Sequence, residues 1–218
     1  MSRWFTYLLI FLFLFSCTKK ETLKISVKNV VTGEPVVGNT ISIVEIFNVS
    51  DGVSGSKTKD FHSGKTNSEG VLFVTEKFNK NRRYKVKVGK FVEDVCYINK
   101  SNENWYVGAN TEINFEYAPC AYVKLIINNV NCVGETDSLV LFQGNELGTF
   151  DFSSPWVHTG CAYWESPGGP DGAPVGYSRV PIGANYYRWK VIRGGTTNLY
   201  EDTLLINAGE FYTYEINY

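Results

Sequence analysis

Apolar and polar residues alternate with a period of two along much of this chain, and that pattern predicts β-strands. Leu23, Ile25 and Val27 face one way, Lys24 and Ser26 the other. Tyr84, Val86 and Val88 alternate with Arg83, Lys85 and Lys87, and Ile113, Phe115 and Tyr117 with Glu112, Asn114 and Glu116. At the end, Tyr212, Tyr214, Ile216 and Tyr218 alternate with Thr213, Glu215 and Asn217. Such strands bury one face and wet the other, as antiparallel sheets do. Further strands are predicted at residues 40 onward, 71–74, 122–128, 138–143, 146–152, 176–181, 186–193 and 199–206. Turn signals fall between them at Thr32-Gly33-Glu34-Pro35, Asn67-Ser68-Glu69-Gly70 and Gly194-Gly195. Residues 166–172 have the composition of a loop. Helical periodicity is nearly absent, so the expected fold class is all-β, with antiparallel sandwiches.

The N-terminus breaks the pattern. Residues 4–15 are almost wholly apolar, and Arg3 is the only charge ahead of them. A positive start, a short apolar core and a small residue before a cut form a secretory signal. About a dozen residues fall short of the ~20 that a membrane-spanning helix needs. Leu14-Phe15-Ser16-Cys17 resembles the lipobox of bacterial lipoproteins, although Phe15 is bulky for its place. The resemblance implies that residues 1–16 are removed and that Cys17 is alkylated by diacylglycerol and acylated, palmitate being a typical chain. Residues 17–21 then form a tether. The implied location is the cell envelope, lipid-anchored in the outer membrane, and Lys19-Lys20-Glu21 leaves the membrane face open.

Charge suggests a division of the remainder. In residues 22–117 basic side chains outnumber acids by 13 to 11, whereas in residues 119–218 acids lead by 10 to 5. The formal net charge is −1, without a basic cluster interleaved with aromatics, so nucleic acid is not an expected partner. Two domains are expected, residues 22–118 and 119–218. The first contains Thr32-Gly33-Glu34-Pro35-Val36-Val37-Gly38, then Thr66-Asn67-Ser68-Glu69-Gly70 entering an apolar run, then Tyr84-Lys85-Val86-Lys87-Val88. This order resembles the carboxypeptidase regulatory-like, or transthyretin-like, sandwich. The resemblance implies a noncatalytic accessory module that carries over no active residues. The second domain is expected to be another Ig-like sandwich, without a family.

With Cys17 assigned to lipid, Cys96, Cys120, Cys132 and Cys161 remain, an even set in an exported chain. Consecutive strands are usually neighbours, which favours Cys96 with Cys120 and Cys132 with Cys161. No C-x-x-C pair occurs and only His62 and His158 are present, so neither a metal nor a cofactor is expected. Ser153 and Ser154 lie near His158, yet no G-x-S-x-G elbow is present, and Asp137, Asp151 and Asp171 lack calcium-loop spacing. Asp137-Ser138-Leu139 and Asp202-Thr203-Leu204 resemble an acceptor motif for bacterial O-glycosylation. The best candidates for function are Trp156, Tyr163, Trp164 and Tyr177, whose flat rings can stack on sugars, anchor a protein or fill a core. The expected function is a noncatalytic, membrane-anchored binding module for a glycan or protein. The alternatives are a structural accessory subunit, favoured by unpaired strand edges, and a hydrolase, favoured by a cleft of convergent polar groups.

Overall fold

The computed structural model describes residues 20–49, 55–79, 81–91, 94–99, 104–106, 112–148, 155–167 and 173–218. Cys17, the export signal, Ser153, Ser154, Asp151 and Asp171 lie outside them. The described chain is all-β. Its strands are β1 (Glu21–Asn29), β2 (Thr40–Val49), β3 (Gly55–Lys65), β4 (Val71–Glu76), β5 (Arg83–Val88), β6 (Val95–Ile98), β7 (Asn104–Tyr106) and β8 (Glu112–Asn128). They continue as β9 (Ser138–Asn145), β10 (Trp156–Thr159), β11 (Trp164–Glu165), β12 (Ser178–Pro181), β13 (Gly183–Arg193), β14 (Thr196–Ile206) and β15 (Phe211–Asn217). Two compact units emerge. One takes the described residues up to 26, 37–89 and 101–114, and the other 27–36, 90–100 and 115–218.

In the first unit β1 pairs antiparallel with β4, from Glu21↔Glu76 to Ser26↔Val71. A second sheet runs β3-β2-β5-β7. The alternation places Leu23, Ile25, Ile41, Ile43, Val74, Tyr84 and Val86 in a dry interior. Burying each such side chain contributes roughly 1.5–3 kcal/mol. The polar run after β2 is a strand, β3, which the hydrophobic pattern did not mark. As a sheet edge it has no need of an apolar face, and Lys57, Lys59 and Asp60 on it are exposed. The turn at residues 67–70 behaves as its sequence suggests. Gly70 takes φ +71° while the Asn67 side chain accepts hydrogen bonds from the Glu69 and Val71 amides.

In the second unit residues 117–128 of β8 pair with four other strands. β15 runs parallel to residues 122–128, while β12, β11 and β6 pair antiparallel with shorter stretches. The other sheet is β10-β9-β13-β14. Between the sheets lie Val123, Leu125, Ile127, Leu139, Leu141, Tyr187, Val191, Leu204, Ile206, Tyr214 and Ile216. The parallel β15 departs from the expected antiparallel order. β14 and β15 are joined by only a four-residue turn yet sit in different sheets, so the chain crosses layers and reaches β8 in the same sense. Residues 146–148, expected to begin a strand, instead form a turn. The Asn145 side chain accepts from the Leu147 amide at 2.9 Å and the Gly148 amide donates to the Asn145 carbonyl at 3.1 Å, ending β9. Tyr212 shares the buried parity of β15 but stays 44% exposed at the strand's start.

Both favoured disulfides are formed, Cys96–Cys120 and Cys132–Cys161, with Cα separations of 4.9 and 5.4 Å. Closing loops of these lengths stabilises the fold by about 3.5 kcal/mol each in the chain-entropy account.

Gly183, the first residue of β13, has φ +91°, and a Cβ there would collide with Glu146 Oε1 and press on Val31. Glu146 Oε1 is held by the Ala184 amide at 3.1 Å and cannot withdraw without losing that bond. Gly183→Ala is therefore expected to lower stability by about 2 kcal/mol in urea unfolding.

Candidate functional site

The outward face of the β8 sheet in the second unit groups aromatic rings with paired charges. Along β8, Ala121, Val123, Leu125 and Ile127 point into the core, which leaves Tyr122, Lys124, Ile126 and Asn128 on the other side. The parallel register sets Phe211 beside Tyr122, Thr213 beside Lys124, Glu215 beside Ile126 and Asn217 beside Asn128. Tyr122 and Phe211 stack with ring centroids 4.5 Å apart and planes within 7°, and Tyr177 meets Phe211 edge-on at 5.2 Å. From β11, Glu165 opposes Ile126 and reaches Lys124, with a nitrogen–oxygen distance of 2.5 Å. The Tyr163 hydroxyl donates to the other Glu165 oxygen at 2.8 Å. The Asn128 amide donates to Asn217 Oδ1 at 3.2 Å. At one margin Asp94 accepts from the Tyr122 hydroxyl at 2.7 Å and pairs with Arg179 at 3.1 Å.

These contacts set the electrostatics of the face. The Lys124 ammonium, followed by the Tyr163 hydroxyl, holds the Glu165 carboxyl below the usual carboxylate range. Glu165 in turn raises both Lys124 and Tyr163. Asp94 is lowered by the Tyr122 hydroxyl and then by Arg179, and it raises Tyr122. The face thus carries the paired charges of Lys124–Glu165 and Asp94–Arg179 beside the Tyr122 and Tyr163 hydroxyls that donate to them. It offers hydrogen-bond donors and acceptors beside flat rings.

The four aromatic candidates divide by strand parity. Tyr163, 57% exposed, and Tyr177 belong to the outward face. Trp164 opposes Ile127 and Trp156 opposes Leu141, both core residues, so both indoles turn inward. They lie 4.3 Å apart and pack, partly buried, against the core. Tyr122, Lys124, Glu165 and Phe211 were not singled out from the sequence. The signal was present in the outward parity of residues 122–128 and 211–217, but only the parallel register joins the two rows.

A second polar cluster lies at the end of β13. Asp137, 1% exposed, accepts from the Val133 amide at 2.8 Å and from Arg193 Nε at 2.9 Å. Arg193 also donates to Asn129 Oδ1 at 2.5 Å, while the Asn129 amide donates to the Gly160 carbonyl at 3.0 Å. The Arg193 guanidinium sits 5.6 Å from the Tyr218 ring centroid. His158 is buried, its Nε2 lies 2.7 Å from the Ala162 carbonyl oxygen, and its ring stacks on Trp156. These groups are spent on one another and on backbone, so the cluster holds loops together. Among the described residues no group of three or more His, Cys, Asp or Glu side chains could hold a metal ion. Of the two Asp-Ser/Thr motifs, Ser138 is half-buried within β9, whereas Thr203 is exposed on β14 and its amide donates to Asp202 Oδ1 at 2.7 Å.

No family model matches the chain, and no curated protein matches it. Among solved structures, the shaft pilin SpaA of Lactobacillus rhamnosus GG aligns with 91% of this chain and 98% of its own, at 9% identity and TM-score 0.34. A DUF3823 family protein of Bacteroides uniformis aligns with 86% of this chain and 100% of its own, at 15% identity and TM-score 0.32. The Bacillus anthracis TIE protein aligns with 91% of this chain and 34% of its own, at 16% identity and TM-score 0.33.

Three outcomes follow from the two faces and the buried cluster. Trp156→Ala should cost about 2 kcal/mol of stability, below a fully buried tryptophan because the ring is only partly covered. Tyr163→Ala should stay within about 0.5 kcal/mol of wild type; denaturant melts compare them. The Val133 amide, together with Arg193 and Asn129, holds the Asp137 carboxyl below its usual range. A carboxyl whose folded-state pKa is depressed stabilises the fold above the unfolded value of about 4, and that stability is lost as pH falls through the folded value. Asp137→Asn should therefore be less stable than wild type at pH 7, and the gap should close in acid, measured by melting from pH 7 to pH 2.

Proposed function

We propose that this chain is a noncatalytic envelope lipoprotein, anchored in the outer membrane through acylated Cys17, that binds a glycan on the outward face of its β8 sheet. The observation that carries the reading is the grouping of Tyr122, Phe211, Tyr177 and Tyr163 around the Lys124–Glu165 pair. Sugar rings offer apolar C–H faces and rims of hydroxyls. Flat aromatics flanked by a carboxylate, an ammonium and two amides supply partners for both. Rigid rings bury area at low entropic cost. The lipid tether would hold this face at high local concentration near the membrane. The resemblance of residues 22–117 to the carboxypeptidase regulatory-like sandwich suits a spacer or docking unit.

A structural accessory role is the second reading, favoured by the long exposed edge of β14.

The test is co-sedimentation of the detergent-solubilised full-length protein with insoluble cellulose, chitin, mannan and peptidoglycan sacculi. Wild type should pellet with at least one of them. Tyr163 and Phe211 are both more than half exposed, so Tyr163→Ala with Phe211→Ala should fold and lose about tenfold in affinity. A wild-type protein that stays in the supernatant with every polysaccharide, or a double variant that pellets equally well, sinks the proposal.

A further inference from the structure

The four-stranded sheets β10-β9-β13-β14 and β3-β2-β5-β7 end in four edge strands. Two are short, with β10 four residues long and β7 three. The other two, β3 and β14, are each eleven residues long and are built oppositely. β3 carries Lys57, Lys59 and Lys65, and its pairing with β2 slips in register at Ile43/Val44. Edge lysines and bulges are devices that keep strands of other chains from adding on. β14 has neither. It contains no Lys, Arg, Pro or Gly, and it pairs with β13 in unbroken register from Thr196↔Arg193 to Ile206↔Gly183. Residues 196–203 are all exposed, with Leu199 at 65% and Tyr200 at 48%, and beyond them Leu205 is at 78%. In an antiparallel ladder, alternate residues turn their N–H and C=O groups away from the paired neighbour. β14 therefore presents a regular row of such groups at its outer side.

We propose that β14 pairs antiparallel with β14 of a second copy of this chain, about a two-fold axis passing through Tyr200. Geometry narrows the choice. In a symmetric antiparallel pair the axis must pass through a residue, because an axis between residues would set inward-facing groups against outward-facing ones. An axis at Glu201 or Asp202 opposes like charges, which destabilises a sheet. An axis at Leu199 pairs only residues 196–202. The axis at Tyr200 pairs residues 196–204 and sets Leu199 against Glu201, Asn198 against Asp202 and Thr197 against Thr203, with no like charges opposed. It also sets Tyr200 against its own copy. Tyr200 already stacks on Trp189 at 5.7 Å, so the pairing would extend two rings into a row of four across the joined sheets. Closed two-fold pairing is the commonest way identical chains associate. This inference does not rest on what the aromatic face of β8 binds.

The test is sedimentation equilibrium of the full-length protein in density-matched detergent across a wide concentration range. Wild type should show a monomer–dimer equilibrium. Two exposed substitutions then read the register. Leu199→Lys places an ammonium opposite Glu201 of the other copy, twice per dimer, and should tighten the dimer about fivefold. Tyr200→Lys places ammonium against ammonium on the axis and should weaken it about tenfold or more. Should either variant lose its fold, Thr197→Lys combined with Thr203→Glu makes the same distinction, since those positions face each other and the pair should tighten. A monomer at every concentration overturns the proposal and leaves the edge to a strand from another protein. Equal weakening by both lysines also overturns it, since that is what blocking an edge in any register would do.

Discussion

Pairing along residues 117–128 of β8 is the constraint on which the second unit depends. One continuous stretch gives its backbone groups to β15 on one edge and to β12, β11 and β6 in other pairings. Once β8 sets Val123, Leu125 and Ile127 inward, the registers leave its neighbours no freedom. Tyr214 and Ile216 must point in, Thr213 and Glu215 out, Trp164 in and Glu165 out. A slip of one residue would exchange the two faces of a strand and expose its whole apolar row. The dry core and the aromatic face are therefore two consequences of the same registers.

Much of this could be read from the residues themselves. The alternation marked β1, β5, β8 and β15, and the order of four cysteines along consecutive strands favoured both disulfides. The polar edge strand β3 escaped because an edge can be wet on both faces, leaving no apolar rhythm to detect. The strand expected at residues 146–152 failed at its start because Asn145 captures the following amides in a turn. The aromatic candidates show a further limit of local pattern. Trp164 and Glu165 are neighbours in sequence and opposite in role, and only the pairing with Ile127 and Ile126 tells which side each takes. Phe211 joined Tyr122 through a parallel crossover between sheets, which no run of residues announces.

The buried Asp137 shows how donors can offset the desolvation of a charge kept inside the fold. Its carboxylate is met by the Val133 amide, Arg193 and Asn129, and Asn129 is itself tied to Gly160. A buried charge left unmatched would cost several kcal/mol, whereas one surrounded by donors locks its neighbours in place. The segments joined in this way, around Val133 and Gly160, stand next to Cys132 and Cys161 in the chain. Covalent and polar ties thus converge on the same two loops.

The Cys132–Cys161 bond also changes what a cut in the chain would mean. β9 and β10 lie wholly between the two cysteines. A protease that cleaved any single peptide bond between residues 132 and 161 would leave two pieces still covalently joined, with β10 retained beside β9. The unit would lose chain continuity there without shedding a strand. One nick in this region is damage that the sheet can survive.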